Sequence, residues 1–230
     1  MAGNGIISQD IKFLRTLAFV SGLRGMDGYG VAQGRYRENE KSFQLVKSME
    51  DIGWGLYMHE RKYQGANDKF LNDIQANFYI GHTRAATIGE ISDENAHPFQ
   101  TDKIIGAHNG TLVDAKYNKK DITDSELLIK DISERGVDKV LSELDPLSAY
   151  ALTLFDKATG NITIVRNSQR PLCCAYSKSR DVFVWASIPM FIHFASAYSG
   201  LELGQVYNVT EDRIHVFHPT EVKSNSTPAW

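Results

Sequence analysis

Closely spaced strand-like segments in the second half of the chain constrain the fold most. Each is short, most are rich in β-branched or aromatic residues, and turn-forming residues separate the earlier ones. Short strands this close together favour antiparallel pairing rather than the long crossovers of a parallel sheet. The segments cover residues 149–155, 162–166, 171–176, 182–186, 206–209 and 214–217.

Helical periodicity occurs at five places. Ser8 is the predicted N-cap of a first helix that ends near Gly22 or Gly25, and residues 69–74 form a short second one. Thr123 and Glu126 form a predicted capping box for a helix over residues 124–135. Two further helices are expected over residues 137–144 and 188–197.

The first half of the chain adds further strands. Residues 28–31, 78–83 and 103–108 are predicted strands. A polar segment over 35–41 is expected to separate the first of them from residues 43–49, whose periodicity is ambiguous. Together these patterns predict an α+β fold in which helices cover two antiparallel sheets. No linker or repeat divides residues 1–230, so we expect a single domain with a loose tail over 224–230.

Composition excludes several classes of protein. Hydrophobic residues make up 42% of the 230 residues and the formal net charge is −3, which gives no basic footprint for nucleic acid. The longest apolar runs are too short to span a membrane. Cys173 and Cys174 are adjacent, and a disulfide between neighbours on a strand would be strained. These features predict a cytoplasmic protein with reduced thiols.

Two segments carry arginines among small residues. Residues 24–30 suit a tight loop that delivers Arg24 to a cleft, although a helix end and turn with a surface ion pair is the simpler explanation of this segment alone. Arg84 follows a predicted strand within residues 81–89 and is suited to clamp a carboxylate, unless it pairs with a structural aspartate.

Two other segments carry polar groups of a different kind. Asn109-Gly110 is most simply a hairpin turn, but it also suits an oxyanion hole built from a side-chain and a backbone N–H. Asp124 belongs to a helix cap, and at a cleft it would also bind a ligand ammonium group.

The order of these motifs is more specific than any one of them. Arg-Gly-x-Asp-x-x-Gly, Gly-His-Thr-Arg-x-Ala-Thr, Asn-Ala-His-Pro-Phe, His-Asn-Gly-Thr and Thr-Asp-Ser-Glu follow one another along the chain. This series resembles the class II glutamine amidotransferases over roughly residues 5–190. The resemblance implies a four-layer αββα sandwich of the Ntn-hydrolase type.

The resemblance also implies a reaction and a set of roles. A free N-terminal cysteine attacks the side-chain amide of L-glutamine, its own α-amine acts as base, and glutamate and ammonia are released. Carried over, Asn109 and Gly110 hold the oxyanion, and Arg24 orders the nucleophile. Arg84 binds the substrate carboxylate, and Asp124 binds its ammonium group with help near Thr87. No metal or cofactor is required.

The start of the chain departs from that family. The family opens with Met-Cys-Gly-Ile, whereas this chain begins Met1-Ala2-Gly3. Either a Cys-Gly-Ile-Val-Gly strand lies upstream of Met1, which we favour, or Ala2 replaces the cysteine. We expect a missing or shortened first strand and little glutaminase activity in the chain as written, because Cys173 and Cys174 lack the α-amine base.

Three functions are compatible with this reading. The first is a glutaminase that supplies ammonia to a separate synthase. The second is a glutamine-binding or scaffold protein without chemistry, which the absent cysteine supports and the retained Asn109-Gly110 pair argues against. The third is a related amidase with another substrate, which the paired Arg84 and Asp124 disfavour.

Overall fold

Two antiparallel sheets face each other, and helices cover their outer surfaces. The computed structural model describes residues 1–3, 5–56, 71, 73, 75–85, 92–120 and 122–219. Every strand pairing among these residues is antiparallel. The predicted α+β class and the four-layer αββα arrangement are therefore confirmed.

The larger sheet contains seven strands within the described part of the chain. They are β1 (Ala2–Gly3), β2 (Tyr29–Arg37), β3 (Glu40–Ser48), β4 (Phe78–Thr83), β9 (Cys173–Ser177), β10 (Val182–Ala186) and β11 (Tyr207–Asn208). Their spatial order is β11-β9-β10-β1-β4-β2-β3. The short β1 therefore lies in the interior of this sheet.

The smaller sheet contains five strands in the same described ranges. They are β5 (Phe99–Gln100), β6 (Ile104–Thr111), β7 (Ala149–Asp156), β8 (Ile162–Arg166) and β12 (His215–Phe217). Their order is β12-β8-β7-β6-β5, and β6 pairs with β7 along its whole length. This pairing fixes the end of β6, where two of the predicted site residues lie.

Helices form the two outer layers. They are α1 (Ser8–Ser21), α2 (described over 52–56), α3 (Asp124–Arg135), α4 (Val137–Ser142) and α5 (Pro189–Ser199). Helices α1 and α5 pack together on the larger sheet, and α3 and α4 cover the smaller one. None of the helices in the described residues is long and apolar enough to cross a membrane.

Strand alternation separates the apolar core into layers. On β4, Tyr79 packs beneath the α1–α5 layer, whereas Phe78 and Ile80 pack between the two sheets. Cys173 and Cys174 on β9 divide in the same way, and both are free thiols. Full burial of a side chain as large as Phe78 or Ile80 stabilises the fold by about 1.5–3 kcal/mol.

Two local predictions are wrong. Ser8 is not the N-cap of α1, because Ile7 occupies that position and its N–H donates to Asp10 Oδ2 at 2.9 Å. The polar segment over 35–41 is not a separator, since β2 and β3 pair as a hairpin as far as Arg37 and Glu40. Charged side chains are compatible with these strand ends because the hairpin lies at the sheet edge.

The first strand, β1, consists of Ala2 and Gly3. Ala2 lies opposite Phe183 of β10 and Phe78 of β4, and the Met1 ammonium group donates to Tyr79 O at 2.9 Å. Burial lowers the pKa of this amine. The predicted loose tail over 224–230 and most of the predicted helix over 69–74 lie outside the described residues.

Candidate functional site

The loop after α1 packs directly against the end of β4. Asp27 N–H donates to Arg84 O at 3.0 Å, and Arg84 N–H donates to Gly28 O at 2.8 Å. A Cβ atom on Gly25 would lie 2.3 Å from the Arg84 carbonyl carbon, so only glycine permits this contact. The first two arginine-bearing motifs are thereby joined, with exposed Arg24 and buried Arg84 on neighbouring backbone segments.

Asn109 and Gly110 lie inside a strand. They face Ala151 and Tyr150 across the β6–β7 pairing, so the hairpin-turn interpretation is wrong. Glycine is needed at position 110 because a Cβ there would lie 1.9 Å from Ala149 O. Both residues are partly exposed, in contrast to the buried strand that precedes them.

The N-terminus of α3 presents Asp124 in a fixed orientation. Thr123 caps the helix, as predicted, by accepting the Glu126 N–H at 3.2 Å. Asp124 Oδ1 accepts the Ser125 N–H at 2.8 Å, and Oδ2 accepts the Leu112 N–H at 3.0 Å. The carboxylate is therefore held before any ligand arrives.

One cavity of about 390 Å³ is lined by all the described residues to which the sequence analysis gave a role. They are Arg24, Arg84, Asn109, Gly110 and Asp124. Thr87 lies outside the described residues. The cavity is large enough for an amino acid and offers cationic, anionic and N–H donor groups together.

The same cavity passes through the larger sheet. Beyond Met1, no described strand lies between residues 80–83 of β4 and residues 184–186 of β10, and we call this space the gap. Leu14 and Leu17 of α1 line the cavity on one face of the sheet, and Ala107 and Ala151 line it on the other. Gly81 is exposed although it lies within an interior strand. The gap thus has apolar walls on both faces and the polar groups at one end.

Three histidines surround the polar end. The His82 and His97 rings are in edge-to-face contact, with centroids 4.2 Å apart, and His108 lies on β6 of the smaller sheet. Burial lowers the pKa of all three, and the neighbouring rings add to this effect for His82 and His97. Neutral imidazoles are therefore expected at neutral pH. Among the described residues, no three or more histidine, cysteine, aspartate or glutamate side chains are grouped so that they could hold a metal ion.

Positive charge predominates at this end of the cavity. Among the described residues that line it, Arg24, Arg84 and Arg170 carry positive charge and Asp124 carries the one carboxylate. Burial lowers the pKa of Arg84, and nearby Asp27 offsets part of this effect. The arrangement suits a zwitterion that carries its carboxylate toward the arginines and its ammonium group toward Asp124.

The two cysteines are separate from this chemistry. Neither lines the cavity, and burial raises the pKa of each thiol to about 12. A thiol of this kind is protonated at neutral pH and is a poor nucleophile. Their position on β9 agrees with the expectation that they do not act as the nucleophile.

Three residues that line the cavity were not predicted as site residues from the sequence. Arg170 lines the cavity from the turn before β9, a contact that depends on how the two sheets stack. His108 and Ser125 form a buried pair beneath Gly110, with His108 Nδ1 2.8 Å from Ser125 Oγ. Strand alternation around Asn109 indicates that His108 points to the α3 face, but the Ser125 contact depends on tertiary packing.

Comparison with known proteins agrees with this architecture. A sequence model described as "Glutamine amidotransferases class-II" matches residues 24–145. Glutamine–fructose-6-phosphate aminotransferase (isomerizing) of Thermococcus kodakarensis is 27% identical over 186 residues, which are 70% of this chain and 30% of that protein. The Aquifex aeolicus protein of the same name is 25% identical over 239 residues, 93% of this chain and 37% of that protein. The chain thus spans about a third of the length of these relatives.

Solved structures show the same fold. Glutamine phosphoribosylpyrophosphate amidotransferase from B. subtilis superposes with a TM-score of 0.62 at 18% identity, covering 96% of this chain and 48% of that one. A predicted glutamine amidotransferase from Pseudomonas aeruginosa gives a TM-score of 0.50 at 15% identity, covering 85% and 86% of the two chains. At these identities the likeness concerns the fold alone.

Proposed function

Because the chain belongs to the class II glutamine amidotransferases, we propose that its cavity binds L-glutamine and that the site hydrolyses the side-chain amide when a cysteine-headed strand fills the gap. Arg84 binds the substrate carboxylate and Asp124 binds the α-ammonium group. The Asn109 side chain and the Gly110 N–H stabilise the oxyanion, and Arg24 orders the nucleophile. The substrate-binding role that the resemblance gives to Thr87 stays a prediction, because this residue lies outside the described part of the chain.

The convergence of these groups on one cavity is the observation that carries the proposal. Arg84 directly follows β4, Asn109 lies on β6 and Asp124 begins α3, and these elements belong to three different layers of the fold. An amino-acid zwitterion needs an opposite charge at each end, and a tetrahedral intermediate needs N–H donors at its oxygen. The residues that line the cavity offer a cation, a carboxylate and N–H donors.

The gap supports a nucleophile located upstream of Met1 rather than at Ala2. Ala2 is fully buried in the core between the sheets and does not line the cavity, whereas Met1 does. Continuing the β1–β4 register from Ala2 opposite Phe78 places five added residues opposite positions 80–84. In a Cys-Gly-Ile-Val-Gly extension the cysteine would then lie opposite Arg84, at the polar end.

The reaction then requires only groups of the protein and water. The α-amine of the added cysteine takes the thiol proton, and the thiolate attacks the amide carbon of glutamine. The oxyanion is held by Asn109 and Gly110 until ammonia leaves, and water hydrolyses the thioester to glutamate. We propose that a synthase accepts the ammonia.

Ligand binding by the chain as written tests the clamp. We expect titration calorimetry to detect L-glutamine binding, with weaker binding of L-glutaminamide, which lacks the carboxylate. The substitution Arg84→Gln should weaken glutamine binding about ten- to a hundredfold and leave glutaminamide binding nearly unchanged, because a charge-assisted hydrogen-bond pair is lost. Equal losses for both ligands would contradict the role of Arg84.

Turnover tests the chemistry. A chain with Cys-Gly-Ile-Val-Gly ahead of Met1 and a free N-terminal cysteine should release glutamate and ammonia in equal amounts. A matched chain headed by alanine should release none, and Asn109→Ala in the cysteine-headed chain should lower kcat about a hundred- to a thousandfold. Glutamine binding without turnover in the cysteine-headed chain would instead support a binding protein.

A further inference from the structure

We propose that His108 and Ser125 are positioning residues that hold the Asp124 carboxylate for an α-ammonium group and couple it to the Asn109–Gly110 end of β6. This inference rests on the proposed function, because it concerns the same amino-acid site. It adds two residues whose proposed effect is exerted through Asp124 and Gly110.

The first contact lies beneath the end of β6. The His108 side chain is only 1% exposed, and its Nδ1 atom lies 2.8 Å from Ser125 Oγ on α3. Its Nε2 atom lies 3.4 Å from Ala149 O on β7. A buried imidazole with both nitrogens next to polar atoms has a fixed ring orientation, because rotation would leave them unpaired.

The second contact joins Ser125 to the carboxylate. Ser125 donates to Asp124 Oδ1 through its backbone N–H at 2.8 Å, and its hydroxyl lies 3.3 Å from the same oxygen. The other oxygen of Asp124 accepts the Leu112 N–H at 3.0 Å. Leu112 directly follows β6. The Asp124 carboxylate is therefore connected to β6 in two ways, through the Leu112 N–H and through the His108–Ser125 pair.

The third contact fixes the backbone of the oxyanion site. A Cβ atom on Gly110 would lie 2.3 Å from His108 Nε2, so the ring packs tightly against this stretch of backbone. Movement of the ring would change the path of Gly110, whose N–H has a proposed role at the oxyanion. One buried ring therefore contacts the supports of both proposed binding groups.

Hydrogen positions couple the two ends of this network. Ser125 has one hydroxyl hydrogen, which it can donate either to His108 Nδ1 or to Asp124. If the hydrogen goes to Asp124, His108 must carry its proton on Nδ1 to bond Ser125. If it goes to His108, the proton must lie on Nε2, facing Ala149 O. The tautomer of His108 should therefore respond to the charge at position 124.

A binding comparison tests the positioning role. Glutaramate is glutamine without its α-ammonium group, so it does not need Asp124. We expect Ser125→Ala to weaken L-glutamine binding about three- to tenfold, the effect of about one lost hydrogen bond, while glutaramate binding changes less than about twofold. Ser133→Ala is the matched control on α3, because Ser133 bonds Thr101 away from the cavity. It should change neither affinity.

A spectroscopic test needs no ligand. In the chain labelled with ¹⁵N-histidine, the His108 ring nitrogens should shift between wild type and Asp124→Asn, since the tautomer balance follows the charge at that position. The Ser133→Ala variant should leave these signals unchanged. An Asp124→Asn spectrum identical to wild type at His108 would overturn the proposal.

The two tests separate this inference from the proposed function. If glutamine fails to bind but Asp124→Asn still shifts the His108 signals, the network is real and the assigned ligand is wrong. If glutamine binds and Ser125→Ala lowers the affinities for glutamine and glutaramate equally, the site is correct and the positioning role is refuted.

Discussion

Gly25 lets two backbone segments of the candidate site pack against each other because it has no side chain. Its backbone lies so close to Arg84 and Ala85 that an added Cβ would approach their C and N atoms to 2.3 and 2.5 Å. These are backbone atoms of the segment that carries Arg84, and they cannot move aside as the end of a flexible side chain can. The glycine therefore matters for packing rather than for turn conformation.

Substitution of this glycine should destabilise the fold. We expect Gly25→Ala to lower the free energy of unfolding by about 1–3 kcal/mol, the usual cost of overpacking. Gly81→Ala is the matched control, because the nearest atom to its added Cβ is 3.8 Å away. Urea denaturation of the two variants measures the difference. Equal stability of both would mean that the Gly25 contact relaxes without cost.

At the level of single residues, the sequence predicts the charged groups better than their supports. Arg84 and Asp124 follow from motif order, because both stand at the ends of recognisable elements. Asn109-Gly110 favours a hairpin turn when read locally, and only the β7 partner strand shows that it lies within β6. The His108–Ser125 contact joins β6 to α3 and has no local signal.

Helix α1 illustrates the same limit at the scale of elements. Its extent is predicted well from apolar periodicity, but its cap is not. Asp10 is fully buried, accepts the Ile7 N–H and forms an ion pair with Arg180 at 3.0 Å. Arg180 belongs to the turn between β9 and β10, so the distant ion pair makes Asp10, rather than Ser8, the residue that fixes the start of the helix.

Paired substitutions should separate the two candidate caps. Asp10→Ala is expected to cost at least about 1 kcal/mol of stability, since it removes a helix-capping acceptor and an ionic partner of Arg180. Ser8→Ala should change stability by less than about 0.5 kcal/mol, as for most exposed positions. Thermal and urea unfolding measure both. A larger loss for Ser8→Ala would restore serine as the cap.

The two sheets were predicted as a class but not in their detailed order. Short strands with intervening turns indicate antiparallel pairing, and β8 and β10 have the expected bounds. The position of β1 between β4 and β10 joins segments that are more than a hundred residues apart. Such non-local pairing depends on the whole core, so local periodicity does not reveal it.

For the whole molecule, the buried histidines link stability to pH. Burial lowers the pKa of His82, His97 and His108 in the folded chain, whereas histidine in an unfolded chain titrates near about 6.5. Below that pH the unfolded chain binds protons that the folded chain excludes. This contribution to stability is therefore complete above about pH 6.5 and declines as the solution becomes more acidic.

Removal of one ring should weaken that dependence. Between pH 7.5 and pH 5, we expect His97→Asn to reduce the fall in unfolding free energy by up to about 1.4 kcal/mol per pH unit, the limit for one proton. His193→Asn, at an exposed position on α5, is the control and should follow wild type. Urea titrations across this range measure the slopes. A wild-type slope in His97→Asn would exclude this linkage.

The adjacent cysteines offer a way to follow the opening of this four-layer molecule. Cys173 belongs to the core under the helices and Cys174 to the core between the sheets, yet the two share one peptide bond. With thiol pKa values near 12, neither should be alkylated until its own layer separates. Alkylation of Cys173 should therefore report the undocking of the helices, and alkylation of Cys174 should report the separation of the two sheets.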